Sequence, residues 1–363
     1  MIGYYSKKAV AKIFSKALSA RYGLARERAV YAGSFGKCFL SKTVVLAFWD
    51  RALVHLGDQL FHQPLVEHLL ARGYTVVVDD KTPLAPYFEA LGARVMSVED
   101  MQQKLSGALF VSKDDMVFDI WRRFGEGNAV ACINYGGLES DDRVAVSIAR
   151  IVLRTLRELG DADVGDERDA IVWKPRVPQA IVDRYATAPW KEKLSAAGDK
   201  KILAFSNYVA SDIVQARGRE AVLEQMARDK KKEGFCLVHL GSAQEKRGDA
   251  RVYDFIDIDL RGDVDVLGLF AFFVDARVAG IVGFDAYNLH VAVLCGKGAL
   301  YVDPYNVQNI ASAMEKMVAD GSLREELIAA GHENVKRFSW DKTAKETMEV
   351  LREAAQKSST ISS

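Results

Sequence analysis

The sequence predicts an α/β protein with two doubly wound parallel-sheet domains, on three observations. Short apolar, β-branched runs alternate with stretches of helical spacing, as strands buried on both faces by helices do. The alternation occurs twice, on either side of an acidic, glycine-containing and then proline-bearing connection. At 363 residues the chain also exceeds what one core usually serves.

The chain opens on a basic stretch, in which Lys7, Lys8, Lys12, Lys16, Arg21, Arg26, Arg28, Lys37 and Lys42 stand against Glu27 alone. Val10, Ile13, Phe14, Leu18 and Leu24 recur there at roughly helical spacing. Residues 1–42 therefore read as a basic helical extension. Such a helix either touches an anionic membrane surface or packs on the body with a solvated basic face. Residues 43–160 form the first domain, with strands at Val44 to Phe48, Tyr74 to Val78, Ala93 to Val98, Ala108 to Ser112 and Ala129 to Asn134. A helix covers Leu84 to Leu91, and a long amphipathic one, Asp141 to Leu159, closes the domain. Residues 161–200 are the connection. The second domain, 201–335, has strands at Ile202 to Phe205, Phe235 to Leu240, Val252 to Ile256, Ala279 to Gly283 and Ala299 to Val302. Its helices fall near Arg219 to Lys230, Val264 to Asp275 and Leu289 to Cys295. Residues 336–363 read as a helix returning to the first domain, with a frayed end.

Composition excludes several classes. Hydrophobic residues at 49% and charged residues at 27% are those of a soluble globular protein, and the zero net charge argues against nucleic-acid binding by overall charge. The four cysteines are far apart, so neither a CxxC metal site nor a disulfide framework is indicated and a reducing cytoplasm fits. No apolar run approaches the roughly 20 residues of a membrane span, and no signal peptide is evident. GxGxxG, P-loop and HExxH motifs are absent. Asp257/Asp259 and Asp263/Asp265 form DxD strings, which elsewhere hold a divalent ion on a diphosphate; here their alternation with Ile and Val reads as a solvated strand edge.

Two junctions carry chemistry. In TVVLAFWDRALVHLGDQLFHQPLVEHLL, Gly57-Asp58 stands where the first strand hands over to a helix, the crevice in which parallel sheets collect ligands. Asp58 reads equally as a base held ionised by the helix start and as a helix cap. In VAGIVGFDAYNLHVAVLCG, a strand runs into Gly283, Asp285 to Asn288 make the turn, and a helix begins about Leu289 with His290 in its first turn. Amides at that start suit a diphosphate, whereas the structural alternative has Asp285 capping and His290 packing.

LGDQLFHQPLVEHLLARG resembles the N-terminal motif of glycosyltransferase family nine, the lipopolysaccharide heptosyltransferases, and DAYNLHVAVL resembles that family's second signature. The ending GHENVKRFSWDKTAKETMEVL is similar to the closing helix of another group of two-domain glycosyltransferases. The resemblance implies a GT-B fold of two Rossmann-like domains facing a cleft, acceptor on the first and nucleotide sugar on the second. It implies that Asp58 is the catalytic base, with Gly57, Gln59 and His62 beside the acceptor. For the donor it implies Ser206, Asn207, Gly241, Glu245 as the ribose ligand, and Asp285, Ala286, Tyr287, Asn288 and His290 around the diphosphate. Two departures stand out. FSNYVASDIVQARG lacks the family's lysine, for which Arg217 is a substitute able to bind phosphate bidentately, and Tyr287 stands where glycine is typical, narrowing the pocket. The expected protein is an inverting glycosyltransferase, without metal or cofactor, that moves a sugar such as a heptose from a nucleotide-diphosphate donor to a glycan or lipid-linked acceptor. It would work in the cytoplasm, peripheral at the inner membrane face, with no nucleic-acid partner. The alternatives are a sugar-nucleotide epimerase or pyruvyl transferase on the same architecture, and a non-catalytic nucleotide-sugar-binding protein.

Overall fold

A computed structural model of the chain describes residues 13–27, 30–49, 55–113, 116–133, 144–164, 176–207, 220–248, 251–283 and 287–297. They hold two α/β lobes, each built on a parallel sheet. In the first, β3 (Thr43–Leu46) is central. It is flanked on one side by β4 (Thr75–Asp79) and β5 (Arg94–Met96), and on the other by β6 (Leu109–Lys113) and β7 (Ala129–Ile133), all parallel. The chain thus winds outward from β3 in one direction and then from β6 in the other. That order is the Rossmann one, and the reversal between β3 and β6 is its switch point. Val44, Val45 and Leu46 are wholly buried because α3 (Gln63–Ala71) and its neighbours cover the sheet.

The second lobe repeats the pattern in the order β10-β9-β8-β11, parallel throughout, with β8 (Ile202–Ser206), β9 (Cys236–His239), β10 (Ile258–Asp259) and β11 (Val278–Gly283). Its switch point lies between β8 and β11. Residues 1–297 form one compact unit that contains both sheets. The predicted strand at 299–302 and the returning helix at 336–363 lie outside the described residues.

Four local expectations differ. The basic extension is not all helix: α1 (13–22) is followed by β1 (Ala25–Glu27) and β2 (Val30–Ser34), an antiparallel pair that joins the outer edge of β7. The pair escaped the reading because its strands are short and interrupted by charge, while the apolar spacing before it is helical. The connection contains two short helices, α8 (Gln179–Arg184) and α9 (Pro189–Ser195). No strand forms at 252–256; Tyr253 and Phe255 are buried alternately and so imitate one, but they pack on Phe205, and pairing with β9 begins only at Ile258. The helix expected at Val264 to Asp275 is confined to α12 (Gly268–Phe273).

Candidate active site

The segment after β3 builds the first half of the site. Pro64 lacks an N–H, so the Leu60 carbonyl receives no helical bond and the chain divides into α2 (Leu56–Leu60) and α3. Asp58 lies in the first turn of α2, yet it is not the cap: His55 occupies that position and its side chain makes no capping bond. The Asp58 carboxylate instead accepts from the His55 backbone amide, the return half of a capping box. Burial pushes its pKa above the ordinary value, against the opposing charges of Lys113, His55 and His290.

His290 comes from the other lobe, on α13 (Tyr287–Leu294). Its ring lies against Gly57, where an added Cβ would stand 2.6 Å from the imidazole Cδ2 and 3.0 Å from Nε2. Phe61 meets the same ring edge-on, with centroids 5.2 Å apart. The glycine beside Asp58 is therefore what lets the second lobe's histidine approach the carboxylate. The two sequence motifs meet at this contact.

Gln59 and His62, expected beside the acceptor, have their side chains under α2. Both are 0% exposed. Gln59 Oε1 accepts from Thr82 Oγ1 at 2.5 Å, and His62 Nδ1 lies 3.2 Å from the carbonyls of Asp58 and Gln59. Desolvation lowers the His62 pKa to about 4, so the ring is neutral and its Nδ1–H donates to those carbonyls. These residues hold α2 in place from beneath and offer no surface to an acceptor.

On the second lobe, Ser206 ends β8 and its Oγ accepts from Asn288 Nδ2 at 3.1 Å. Asn207 is held by Tyr253 Oη at 2.7 Å and His239 Nε2 at 3.3 Å. Strand ends approach closely here, since a Cβ on Gly283 would lie 2.6 Å from the Ser206 carbonyl oxygen. Gly241 is packed against Glu245 and Arg261. Glu245 Oε2 accepts from the Ser242 amide at 2.9 Å while Ser242 Oγ accepts from the Glu245 amide at 3.1 Å, a capping box that begins α11 (Ala243–Gly248). Tyr287, expected to narrow the donor pocket, donates its hydroxyl to the Val266 carbonyl at 3.0 Å, and its partly buried ring packs against the core. Arg217, Asp285 and Ala286 lie outside the described residues.

Sequence reasoning missed Lys113 and His55, whose charges oppose the effect of burial on Asp58. Neither belongs to a motif; the sheet order alone brings Lys113 to the first crevice. The DxD carboxylates are all engaged. Asp257 accepts from the Leu237 amide and pairs with Lys231, Asp259 takes the Arg261 guanidinium through both oxygens, Asp263 pairs with Lys193, and Asp265 accepts from Tyr185 and the Gly268 amide. Among the described residues no group of three or more His, Cys, Asp or Glu is placed to hold a metal. No described helix is long and apolar enough to cross a membrane. Where the β4 end, the connection and the loop before α12 meet, a groove of about 480 Å³ is lined by Asp80, Thr82, Glu89, Arg184, Tyr185 and Asp265 among others.

No family model matches the chain. A D-inositol 3-phosphate glycosyltransferase of a Nocardioides species is 31% identical over 87 residues, which cover 24% of this chain and 19% of that protein. The chain thus aligns with about a fifth of that relative's length. Among solved structures, a glycosyl transferase family 9 protein of Veillonella parvula is 16% identical, covering 72% of this chain and 80% of its own, with a TM-score of 0.48. The ADP-heptose lipopolysaccharide heptosyltransferase II of E. coli is 13% identical over 78% of this chain and 99% of its own, with a TM-score of 0.49. A second E. coli heptosyltransferase, solved with ADP, is 10% identical over 78% of this chain and 98% of its own, with a TM-score of 0.48.

Proposed function

We propose that this chain is an inverting, metal-independent glycosyltransferase, which moves a sugar, in the sharpest form a heptose, from a nucleotide-diphosphate donor to a hydroxyl of a glycan or lipid-linked acceptor. One observation carries the reading: Asp58 of the first lobe and His290 of the second, each from a family-like motif, meet across Gly57. A half-buried carboxylate with a raised pKa is a better proton acceptor than a solvated one. As the acceptor oxygen attacks the anomeric carbon, Asp58 takes its proton, the bond from that carbon to the diphosphate breaks, and the nucleotide diphosphate leaves with the electron pair. Such a base contributes about 10²–10⁴-fold. Asn288 and His290 stand on the donor side to orient the diphosphate. The commitment of all four DxD carboxylates to internal partners favours charge neutralisation by protein groups.

Peripheral membrane contact through the basic N-terminal residues belongs to the same proposal. Its support is the lysine run and the exposure of Ile13 and Phe14 on α1. The test of function is a thermal-shift screen with nucleoside diphosphates, followed by turnover with the matching nucleotide sugar. A ligand at 100 times Kd adds about 2.7 kcal/mol, so the donor nucleotide should stand out. A chain stabilised by none of the common nucleoside diphosphates is not this enzyme.

A further inference from the structure

The groove of about 480 Å³ lies outside both motifs, where the end of β4, α4 (Ala85–Leu91), the connection and the loop before α12 meet. Its size is that of small-molecule sites, about 300–1,000 Å³, and such sites favour junctions of this kind. Asp80 and Thr82 follow β4 directly, at the carboxyl end of the first lobe's sheet. In Rossmann lobes an acidic residue after the second strand takes the hydroxyls of a ribose, and β4 is that second strand here, counted from β3. Thr82 Oγ1 donates to Gln59 Oε1 at 2.5 Å, and Gln59 follows Asp58 in α2, so the groove and the proposed base share a support. The far wall is held in place. Tyr185 Oη donates to Asp265 Oδ1 and Oδ2 at 2.7 and 2.8 Å, and the Gly268 amide donates to Asp265 Oδ1 at 2.7 Å. Glu89 and Arg184 are different. Both are exposed, and although they are opposite in charge and line the same groove, neither side chain makes a hydrogen bond or ion pair among the described residues.

We propose that this groove is a saccharide subsite, which holds a sugar residue of the glycan acceptor other than the one that reacts. That the sugar belongs to an acceptor rests on the transferase reading; the match of the groove to a saccharide does not. The Glu89 carboxylate only accepts hydrogen bonds, and the Arg184 guanidinium only donates them. Tyr185 Oη has given its proton to Asp265 and keeps lone-pair capacity for an incoming donor. A hydroxyl donates one bond and accepts two, so a ring that carries several of them serves all three groups at once. Its C–H faces suit Pro83, Pro86 and Val266 on the same lining. A free cation would meet Arg184, and a free anion would meet Asp80 and Glu89. The walls therefore favour a neutral polyhydroxyl ligand over an ion of either sign.

The test is amide NMR of the full chain, titrated with free glucose, mannose, galactose and a heptose in the absence of nucleotide. The Thr82, Glu89 and Tyr185 amides should shift saturably with at least one of these sugars. Arg184→Gln and Glu89→Gln should each weaken that binding about tenfold, the worth of one hydrogen bond to a charged group. Lys232→Gln, at an exposed lysine of α10 (Glu220–Lys232), should leave it unaltered. Both groove residues are exposed, so neither variant disturbs the core, and one folded variant suffices. Groove amides that no sugar moves overturn the proposal. Shifts seen only with spermidine or sulfate overturn it equally, as does sugar binding that neither variant weakens. If a nucleoside diphosphate stabilises the chain while the sugars leave the groove unmoved, the subsite is discarded and the transferase reading stands. Sugars that bind the groove of a chain no nucleotide stabilises keep the subsite and discard its acceptor role.

Discussion

Asp58 in the first lobe and Asp259 in the second both lie near the carboxyl ends of strands, and they are held in opposite ways. Arg261 grips Asp259 through both oxygens at 2.9 and 3.1 Å, Lys246 adds to it, and the pKa falls to about 2. Asp58 has cations nearby, but burial outweighs them and its pKa rises. A carboxylate stabilised as an ion is a poor proton acceptor and a good structural tie; one destabilised as an ion is the reverse. The comparison sets the proposed base apart from a carboxylate of the DxD strings.

Asp58→Asn is the strongest way to break the comparison. It keeps the shape and an acceptor for the His55 amide but removes the base, so kcat should fall by at least about 10²-fold with nucleotide affinity nearly unchanged. Melting of the same variant sharpens it. With its folded pKa raised, native Asp58 binds its proton more tightly than the unfolded chain does. Its contribution to stability therefore declines as pH rises from about 4 through the folded value, and the neutral-pH ion is a net burden. Asp58→Asn should accordingly melt higher than the parent at pH 7 and no higher at pH 3. A lower melting temperature at pH 7, with normal turnover, would return Asp58 to a structural role.

Gly57→Ala should act next. Its Cβ would drive His290 from its place, at a cost of about 1–3 kcal/mol, seen as roughly tenfold weaker binding of the nucleotide diphosphate in calorimetry. Unchanged affinity would remove His290 from the donor site. Asp259→Asn should spare kinetics and lower stability by about 1–3 kcal/mol, because the Arg261 side chain, 4% exposed, loses its main charge partner. The sign with pH is opposite to that of Asp58: the depressed pKa means that the contribution is present above about pH 4 and is lost as pH falls through about 2, which acid-unfolding curves of parent and variant would show. Smallest of all is the effect of excess chelator on turnover, expected to be none. Activity lost and then restored by magnesium or manganese would require the DxD carboxylates to release their partners.

Much of this was legible in the sequence because it depends on local pattern. Buried parallel strands announce themselves as apolar runs, and most of those expected here appear within a residue or two of their places. The Gly-Asp and Asp-to-His motifs were visible by spacing; their meeting, Gly57 against His290, needed the three-dimensional arrangement. Lys113 was invisible because strand order is not written in any one segment. Glu245 shows the converse: SAQE is a capping-box pattern as readable as any, and the structure forms that box. Gln59 and His62 look like polar residues of an active-site loop, and only the fold turns them inward to bond Thr82 and the backbone.

The hairpin of β1 and β2 has a practical consequence. The strand it covers, β7, is AVACI, apolar and 0% exposed along its length. Stripped of its antiparallel neighbour, that strand would offer a row of unsatisfied amides and carbonyls on an apolar face, the template on which other chains stack. β1 and β2 therefore cover a strand edge that would otherwise be open to pairing with another chain. A truncation at residue 41 would confuse aggregation with loss of lipid affinity. Replacing Lys7, Lys8, Lys12 and Lys16 by glutamine in the full chain isolates the charge, and vesicle sedimentation at rising salt then reads membrane attraction alone.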